Sequence, residues 1–302
     1  QHAQHRVPLA RLVPPQMRTG EDWYAGTANA LYQNRFLLER SNADLVLVLS
    51  GDHIYRMDYA ALVSYHREQG ADLTVACMDL PAGEAGAFGV MSVDGAKRVE
   101  RFEEKPAEPA RLPDDPDRAL VSMGIYCFDK RLLIEALERD HARPESGHDF
   151  GHDVIPGLID GHRVLAYRFG GKGGRVSRDR YWRDVGTLDA YYEANMALLE
   201  PVPPLDLYQP DWTIRTYQAQ HPPARTVPGA SGSQGVFINS IVAGGVIIAG
   251  GGVHHSVLFP RVRVNDGAIV EDAILFEGVE VGARAQVQRC IVDKGVHIPP
   301  NE

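Results

Sequence analysis

A six-residue repeat in the last third of the chain restricts the possible folds more than any other feature. Glycines and other small residues fill many positions between its apolar members. A six-residue period with turn residues between is the signature of a parallel β-helix, in which each hexad forms one face of a coil. The β-branched pairs six positions apart are Ile241 and Ile247, Val264 and Val270, Val281 and Val287, and Val292 and Ile298. We therefore predict a structural β-helix over residues 235–302.

An apolar run over residues 45–49 organises the rest of the chain. It has no polar alternation, which predicts a strand buried on both faces, as in a parallel sheet. A helix capped by Asp58 and a second apolar run over residues 73–78 complete a predicted βαβ unit. Ligands of open α/β sheets bind beyond the carboxyl ends of the strands, so Asp52 is a candidate functional residue. On the pattern alone, a simple turn-capping role for Asp52 is equally good.

Local signals define several further elements. The Asp94-Gly95 pair between two strand-like runs predicts a β-hairpin. Thr27 is the predicted N-cap of a helix that precedes the first strand, and Thr187 is the predicted N-cap of a helix that follows a short strand. Residues 140–148 are predicted to be exposed and flexible.

Glycine and proline mark the loops and the domain boundary. Residues 170–174 contain four glycines and a lysine, but they lack the Walker A spacing and are predicted to form a loose turn. Residues 201–234 are rich in proline and show little periodicity, as expected of a linker. The predicted domains are therefore residues 1–200, a linker over 201–234, and the β-helix over 235–302.

Composition excludes some classes of protein. The formal net charge of −9 over 302 residues argues against a broad nucleic-acid surface. The three cysteines show no metal-binding spacing and are expected to be thiols in a reducing compartment. No apolar run approaches the ~18 residues of a membrane helix. We expect a cytoplasmic protein without a nucleic-acid or membrane partner.

Six motifs in order along the chain resemble one family. They are GDHIYRMDY (51–59), AFGVMSVD (87–94), FEEKP (102–106), SMGIY (122–126), DFGHDVIP (149–156) and YWRDVGTLDAYYEAN (181–195). Together they resemble the bacterial glucose-1-phosphate adenylyltransferases, also called ADP-glucose pyrophosphorylases. The resemblance implies an α/β, Rossmann-like sugar-nucleotidyltransferase domain followed by a left-handed parallel β-helix. It also implies an allosteric homotetramer that forms ADP-glucose and pyrophosphate from ATP and glucose 1-phosphate in glycogen biosynthesis.

The resemblance assigns roles to individual residues, and the chemistry of those residues fits the roles. Asp52 and Asp184 are the predicted ligands of a catalytic Mg²⁺, a hard cation that binds carboxylates together with substrate phosphates. Lys105 is a catalytic point charge for the sugar phosphate. The residues implied to line the glucose 1-phosphate site are Tyr24, Gly89, Glu104, Lys105 and Ser122. Asp149, Phe150 and Trp182 are weaker candidates, for which capping or core roles are equally plausible.

The chain departs from the family pattern at several places. The family opens with a strand and a Gly- and Arg-rich loop that holds the nucleotide phosphates, and no such motif is visible here. The repeat also stops without a cap. We therefore expect a piece of such an enzyme that lacks activity by itself. Ala25 and His152 stand where the family commonly has Arg and Lys.

Two other functions remain open. A catalytically inactive sugar-phosphate-binding or regulatory subunit would bind glucose 1-phosphate without forming ADP-glucose. A hexapeptide-repeat acyltransferase has His254 and His255 as its only support.

Overall fold

The chain forms two compact units in the computed structural model, which describes residues 13, 23–170, 180–214, 216, 217 and 219–302. Of the described residues, those up to 51 and those from 57 to 180 form the first unit, and those from 52 to 56 and from 181 to 302 form the second. The helices are α1 Thr27–Gln33, α2 Arg35–Glu39, α3 Tyr59–Glu68, α4 Ala82–Ala85, α5 Lys130–His141 and α6 Leu188–Ala197. The strands up to residue 184 are β1 Leu45–Leu49, β2 His53–Tyr55, β3 Leu73–Pro81, β4 Gly89–Val93, β5 Val99–Glu104, β6 Arg118–Asp129, β7 Val164–Arg168 and β8 Trp182–Asp184.

The first unit is built on a mixed sheet. Its strands are ordered β5-β4-β6-β3-β7, and β1 pairs with the C-terminal half of β6. The central strand β6 is antiparallel to β1, β3 and β4, whereas β3 and β7 are parallel. Strand β1 therefore runs in the same direction as β3, and α3 connects the two. The predicted βαβ unit is present, with β6 inserted between its parallel strands.

The environment of β1 differs from the prediction. Among the described residues β1 pairs with β6 alone, and the pairing is antiparallel. The strand is only half-buried, and 44% of Leu49 is exposed. The prediction of a strand buried on both faces in a parallel sheet is therefore wrong. An apolar run reports which faces a strand must cover, but it carries no information on the direction of the neighbouring strand.

Local capping rules account for several element boundaries in this unit. The Asp58 carboxylate accepts a hydrogen bond from the Ala61 amide and starts α3, as predicted. The Asp94 carboxylate accepts hydrogen bonds from the amides of Ala96 and Arg98, which closes the predicted hairpin between β4 and β5. A π-helical turn over Phe150–Val154 and a 3₁₀ turn over Pro156–Leu158 follow α5. Residues 171–174 of the glycine-rich segment lie outside the described residues.

A large apolar core holds these elements together. Side chains from the sheet, α5 and the turns after it are fully buried in one cluster that includes Phe128, Leu133, Leu137 and Ile155. Asp140 lies in the last turn of α5, and only 4% of it is accessible to solvent. The prediction that residues 140–148 are exposed is therefore wrong at Asp140, whose carboxylate is covered by Arg143, Ser146 and His148 and accepts a hydrogen bond from each.

The second unit contains a parallel β-solenoid, as the hexad repeat predicts. Residues on one face stack in ladders, such as Ile248, Val264, Val281 and Ile298. Of the predicted pairs, Val264 with Val270 and Val281 with Val287 lie in its buried core, and Val292 with Ile298 pack against it. The pair Ile241 and Ile247 is wrong by one position, because the neighbouring residues Val242 and Ile248 face this core instead. Its strands are β9 Arg225–Val227, β10 Val236–Ile238, β11 Ile241–Val242, β12 Ile247–Ala249, β13 Gly252–His254, β14 Val257–Leu258, β15 Arg263–Val264, β16 Ile269–Leu275, β17 Glu280–Val281, β18 Gln286–Val292 and β19 His297–Ile298.

Helix α6 packs on this solenoid within the second unit. The Thr187 hydroxyl accepts a hydrogen bond from the Ala190 amide and caps the helix, as predicted. Apolar side chains of α6 and the following turn, including Leu199, pack with Val257 and Ile274. The Tyr192 hydroxyl also donates a hydrogen bond to the Asp272 carbonyl, at 2.7 Å. These contacts fix the helix that follows Asp184.

Candidate functional site

In the first unit, the Glu104 carboxylate lies between two glycines. Gly89 is paired with Glu104 across the β4–β5 hairpin. A Cβ atom on Gly89 would lie 2.9 Å from Glu104 Oε2, and a Cβ atom on Gly151 would lie only 2.2 Å from the same oxygen. A Cβ atom on Gly89 would also lie 2.6 Å from the Phe102 ring. A side chain at either glycine would therefore force the Glu104 carboxylate out of its present position.

The electrostatic environment of Glu104 is unusual for a glutamate. Burial raises its pKa, and the nearby Asp149 carboxylate raises it further, while Lys105 and His152 act in the opposite direction. Among the described residues, no side chain or amide donates a hydrogen bond to the Glu104 carboxylate. Its oxygens are therefore available to accept hydrogen bonds from a ligand.

Lys105 lies at the end of the same hairpin. Its backbone adopts a left-handed conformation with φ of 47°, and its amide donates a hydrogen bond to the Phe88 carbonyl. The side chain is exposed. The predicted residues Gly89, Glu104 and Lys105 are thus brought together by one hairpin.

The loop that carries Asp149 and Gly151 is fastened to the start of α1. The Thr27 hydroxyl donates to Asp149 Oδ2 and accepts from the Phe150 amide, both at 3.0 Å. Gly26 lies so close to this loop that a Cβ atom would be 2.4 Å from the His148 carbonyl oxygen. The prediction of Thr27 as N-cap is wrong. Gly26 occupies the cap position, and Thr27 is the first helical residue, whose hydroxyl is committed to the loop.

Tyr24 and Ser122 are held by hydrogen bonds within the first unit. The Tyr24 hydroxyl accepts a hydrogen bond from the Asn34 side chain at 2.8 Å. Ser122 lies buried on β6, and its hydroxyl accepts a hydrogen bond from the Gly124 amide. Burial raises the pKa of Tyr126 to about 12. Ser122 therefore serves the local hydrogen-bond network of β6, and its substrate role stays a prediction.

In the second unit, the Asp52 and Asp184 carboxylates lie against the same glycine. Strands β2 and β8 pair antiparallel, and the Val185 amide donates to the Asp52 carbonyl at 2.9 Å. The Gly186 amide donates to Asp184 Oδ1 at 2.7 Å. A Cβ atom on Gly186 would lie 3.0 Å from Asp184 Oδ1 and 3.4 Å from Asp52 Oδ2. One short pair of strands thus brings the two carboxylates to a common point.

These two carboxylates suit a magnesium ion. The described part of the chain contains no cluster of three or more His, Cys, Asp or Glu side chains with metal-binding geometry. Mg²⁺ is commonly bound by one or two carboxylates, with water and substrate phosphates supplying the other ligands. His53 Nε2 lies 3.7 Å from Asp52 Oδ1, but it forms no such cluster with the two aspartates. A pair of aspartates fits the magnesium pattern better than it fits zinc, which takes four nitrogen or sulfur ligands in structural sites.

Sequence reasoning did not identify Gly151 and Gly186 as site residues. Each lies two residues after an acidic side chain, in DFG and DVG respectively. The Asp-x-Gly pattern is visible in the sequence, but the approach of each glycine to a carboxylate depends on the fold. His152, one of the departures from the family pattern, is exposed, and its Nδ1 atom lies 2.9 Å from Asp153 Oδ1. That carboxylate raises the pKa of His152.

None of the described helices combines the length with the apolar character that a bilayer-spanning segment requires.

Comparison with known families defines the class of the protein. The family described as nucleotidyl transferase matches residues 4–201, and the family described as GlmU-like, C-terminal hexapeptide, matches residues 222–302. The fold and these matches define a nucleotidyltransferase domain followed by a hexapeptide-repeat solenoid.

Individual relatives identify the family more narrowly. Glucose-1-phosphate adenylyltransferase 2 of Vibrio cholerae is 56% identical over 289 residues, which cover 96% of this chain and 71% of the relative. The protein of the same name from Vibrio parahaemolyticus is 59% identical, with 96% and 72% covered. The glucose-1-phosphate adenylyltransferase of Methylococcus capsulatus is 46% identical, with 96% and 68% covered. The chain belongs to the glucose-1-phosphate adenylyltransferase family, and its members are nucleotidyltransferases.

Proposed function

We propose that this chain provides the sugar-phosphate and metal sites of an enzyme that transfers AMP from ATP to glucose 1-phosphate. The products are ADP-glucose and pyrophosphate, and the process served is glycogen biosynthesis. Family membership supports this reaction, and the observation that carries it is the approach of the Asp52 and Asp184 carboxylates to Gly186.

The proposed chemistry is an in-line displacement. A phosphate oxygen of glucose 1-phosphate attacks the α-phosphorus of ATP, a new P–O bond forms, and the bond to the pyrophosphate leaving group breaks. Catalysis of such a step consists mainly of positioning and neutralisation of charge. When bound, Mg²⁺ supplies charge neutralisation at the phosphates. Asp52 and Asp184 would hold the ion.

The hairpin of the first unit supplies the proposed sugar site. Lys105 provides a positive charge for the sugar phosphate, and Glu104 accepts hydrogen bonds from sugar hydroxyls. Gly89 leaves room for the Glu104 carboxylate, and Tyr24 and Ser122 complete the proposed lining. The raised pKa of Glu104 is compatible with this role, because a partly desolvated carboxylate gains more from a hydroxyl donor than an exposed one does.

We also propose the finer properties that the family resemblance suggests. They are ATP as the nucleotide, allosteric regulation, a homotetramer, and a location in the cytoplasm. Support for assembly comes from β10, an edge strand among the described residues, on which Val236, Phe237 and Ile238 are exposed by 41%, 45% and 55%. Support for a reducing compartment comes from the three cysteines, all described, which carry free thiols.

A product assay tests the proposed reaction. We would compare the 302-residue chain with a hybrid in which this chain replaces the matched region of the Vibrio cholerae relative. We expect the hybrid to form ADP-glucose and pyrophosphate in equal amounts, in a reaction that needs Mg²⁺. We expect the chain alone to bind glucose 1-phosphate without turnover.

Two results would contradict these expectations. Binding of glucose 1-phosphate without any product from the hybrid would overturn the catalytic assignment and favour a regulatory subunit. ADP-glucose formed by the 302-residue chain alone would contradict the expectation of binding without turnover.

A further inference from the structure

Asp140 is a buried carboxylate at an unfavourable place. It lies in the last turn of α5, where the helix dipole disfavours a negative charge, and only 4% of it is exposed. Three side chains donate hydrogen bonds to it: Arg143 at 3.0 Å, the Ser146 hydroxyl at 2.7 Å and His148 Nδ1 at 2.7 Å. Burial alone would raise its pKa, but these three hydrogen bonds lower it below the ordinary value.

The hydrogen bond between Asp140 and the His148 side chain also holds the backbone at His148. Its φ of 56° is left-handed, a conformation that β-carbon-bearing residues adopt at a cost, so its side-chain bond to Asp140 helps to hold it there. The His148 carbonyl accepts a hydrogen bond from the Ala28 amide at 2.8 Å and packs against Gly26. The chain then continues directly into Asp149.

Asp149 and the residues after it form the wall of the proposed sugar site. Asp149 Oδ1 accepts hydrogen bonds from the amides of Gly151 and His152, and Oδ2 accepts from Thr27. Gly151 is the residue against which the Glu104 carboxylate packs. A displacement at His148 would therefore move Gly151 and change the space around Glu104.

Helix α1 also contacts the end of α5, where Asp140 lies. The His141 ring stacks on Tyr32 of α1, with ring centroids 3.9 Å apart, and lies 6.0 Å from the His148 ring. Arg143 also donates a hydrogen bond to the Asp153 carbonyl at 3.1 Å. Contacts from the end of α5 thus reach both α1 and the turn that follows Asp149.

We infer that Asp140 and His148 are positioning residues for sugar-phosphate binding. The buried carboxylate holds the His148 side chain, and the His148 backbone sets the loop Asp149–Gly151 against α1 and Glu104. This inference rests on the proposed function of Glu104. Both residues would act without contacting the substrate, through the geometry of the residues proposed to contact it.

Calorimetric titration with glucose 1-phosphate tests the inference on the 302-residue chain. Asp140→Asn keeps the shape of the side chain but removes its charge, and we expect the Kd for glucose 1-phosphate to rise about tenfold or more. His148→Asn keeps a residue that tolerates the left-handed backbone, and we expect a smaller rise in the same direction. Asp160→Asn, the same substitution at an exposed site of this unit, is the control and should leave the Kd unchanged.

The hybrid enzyme separates positioning from loss of fold. In it, we expect Asp140→Asn to raise KM for glucose 1-phosphate while kcat and KM for ATP change less than twofold. The inference would be overturned if both variants kept the far-ultraviolet circular dichroism spectrum of the unsubstituted chain and bound glucose 1-phosphate with a Kd within twofold of its Kd. Failure of the unsubstituted chain to bind glucose 1-phosphate would instead contradict the proposed function. If Asp140→Asn does not fold, Ser146→Ala must weaken binding, because it removes one hydrogen bond to Asp140 and the hydrogen bond from the His148 amide to the Ser146 hydroxyl.

Discussion

Substitution of Gly151 by alanine should damage the proposed sugar site through one contact. The new Cβ atom would lie 2.2 Å from Glu104 Oε2, 3.0 Å from Glu104 Cδ and 3.4 Å from Asp149 Oδ1. Ordinary van der Waals separation between carbon atoms is about 3.5–4.0 Å, so the Glu104 carboxylate must move by about 1 Å. Its backbone is held in the β4–β5 hairpin, so the movement must come from the side chain.

The size of the effect follows from the interactions that Glu104 would lose. A hydrogen bond to a charged group contributes about 1.5–3 kcal/mol when measured by deletion, and each 1.36 kcal/mol is a factor of ten. We therefore predict that Gly151→Ala raises the Kd for glucose 1-phosphate about 10- to 100-fold. A misplacement of about 1 Å costs a similar factor in catalysis.

Calorimetric titration of the 302-residue chain with glucose 1-phosphate measures this change directly. Gly157→Ala is the matched control, because it lies in the following 3₁₀ turn and a Cβ atom there would meet nothing within 4 Å. We expect the control to bind normally. If folded Gly151→Ala bound glucose 1-phosphate within twofold of the control, the placement of Glu104 in the sugar site would be refuted.

Two further predictions concern stability. The raised pKa of Glu104 means that stability falls as the pH rises from the ordinary glutamate pKa of about 4.3 to the higher folded-state value. Glu104→Gln removes that penalty, so at pH 7 it should raise the urea midpoint while weakening sugar-phosphate binding. A lower midpoint for Glu104→Gln would contradict the assigned burial. Ile274 is fully buried between the solenoid and α6, so Ile274→Ala should cost about 2–5 kcal/mol and Ile274→Val about 0.5–1.5 kcal/mol. Urea denaturation measures both, and equal losses would show that the site is not tightly packed.

Elements determined by neighbouring residues could be predicted from the sequence. Asp58 and Thr187 cap their helices as predicted, and the Asp94 turn closes its hairpin, because each of these contacts spans at most four residues. The solenoid could also be predicted, because the same six-residue spacing of apolar side chains recurs several times in the sequence.

Contacts between distant segments could not be predicted in the same way. Thr27 bonds to Asp149 across 122 positions, so the local rule for an N-cap gave the wrong role for its hydroxyl. The burial of Asp140 depends on a loop that folds back on α5. The antiparallel pairing of β1 with β6 likewise depends on chain topology rather than on the apolar pattern of either strand.

The candidate site shows the same difference between local motifs and contacts that depend on the fold. Family motifs indicated Asp52, Asp184, Glu104 and Lys105 as residues of interest. The geometric reason for their environment lies in Gly186 and Gly151, whose missing side chains leave space for carboxylates. Their importance becomes visible only when the strands are paired.

The sharing of one divalent ion by Asp52 and Asp184 is tested most directly by a Mn²⁺ titration followed by electron paramagnetic resonance, with ADP-glucose present. We predict that one ion binds per chain and that either Asp52→Asn or Asp184→Asn weakens Mn²⁺ binding about tenfold or more. The double variant should bind Mn²⁺ only slightly more weakly than the weaker single variant, because both carboxylates bind the same ion. Undiminished affinity in either single variant, or strictly additive losses in the double variant, would contradict a shared site.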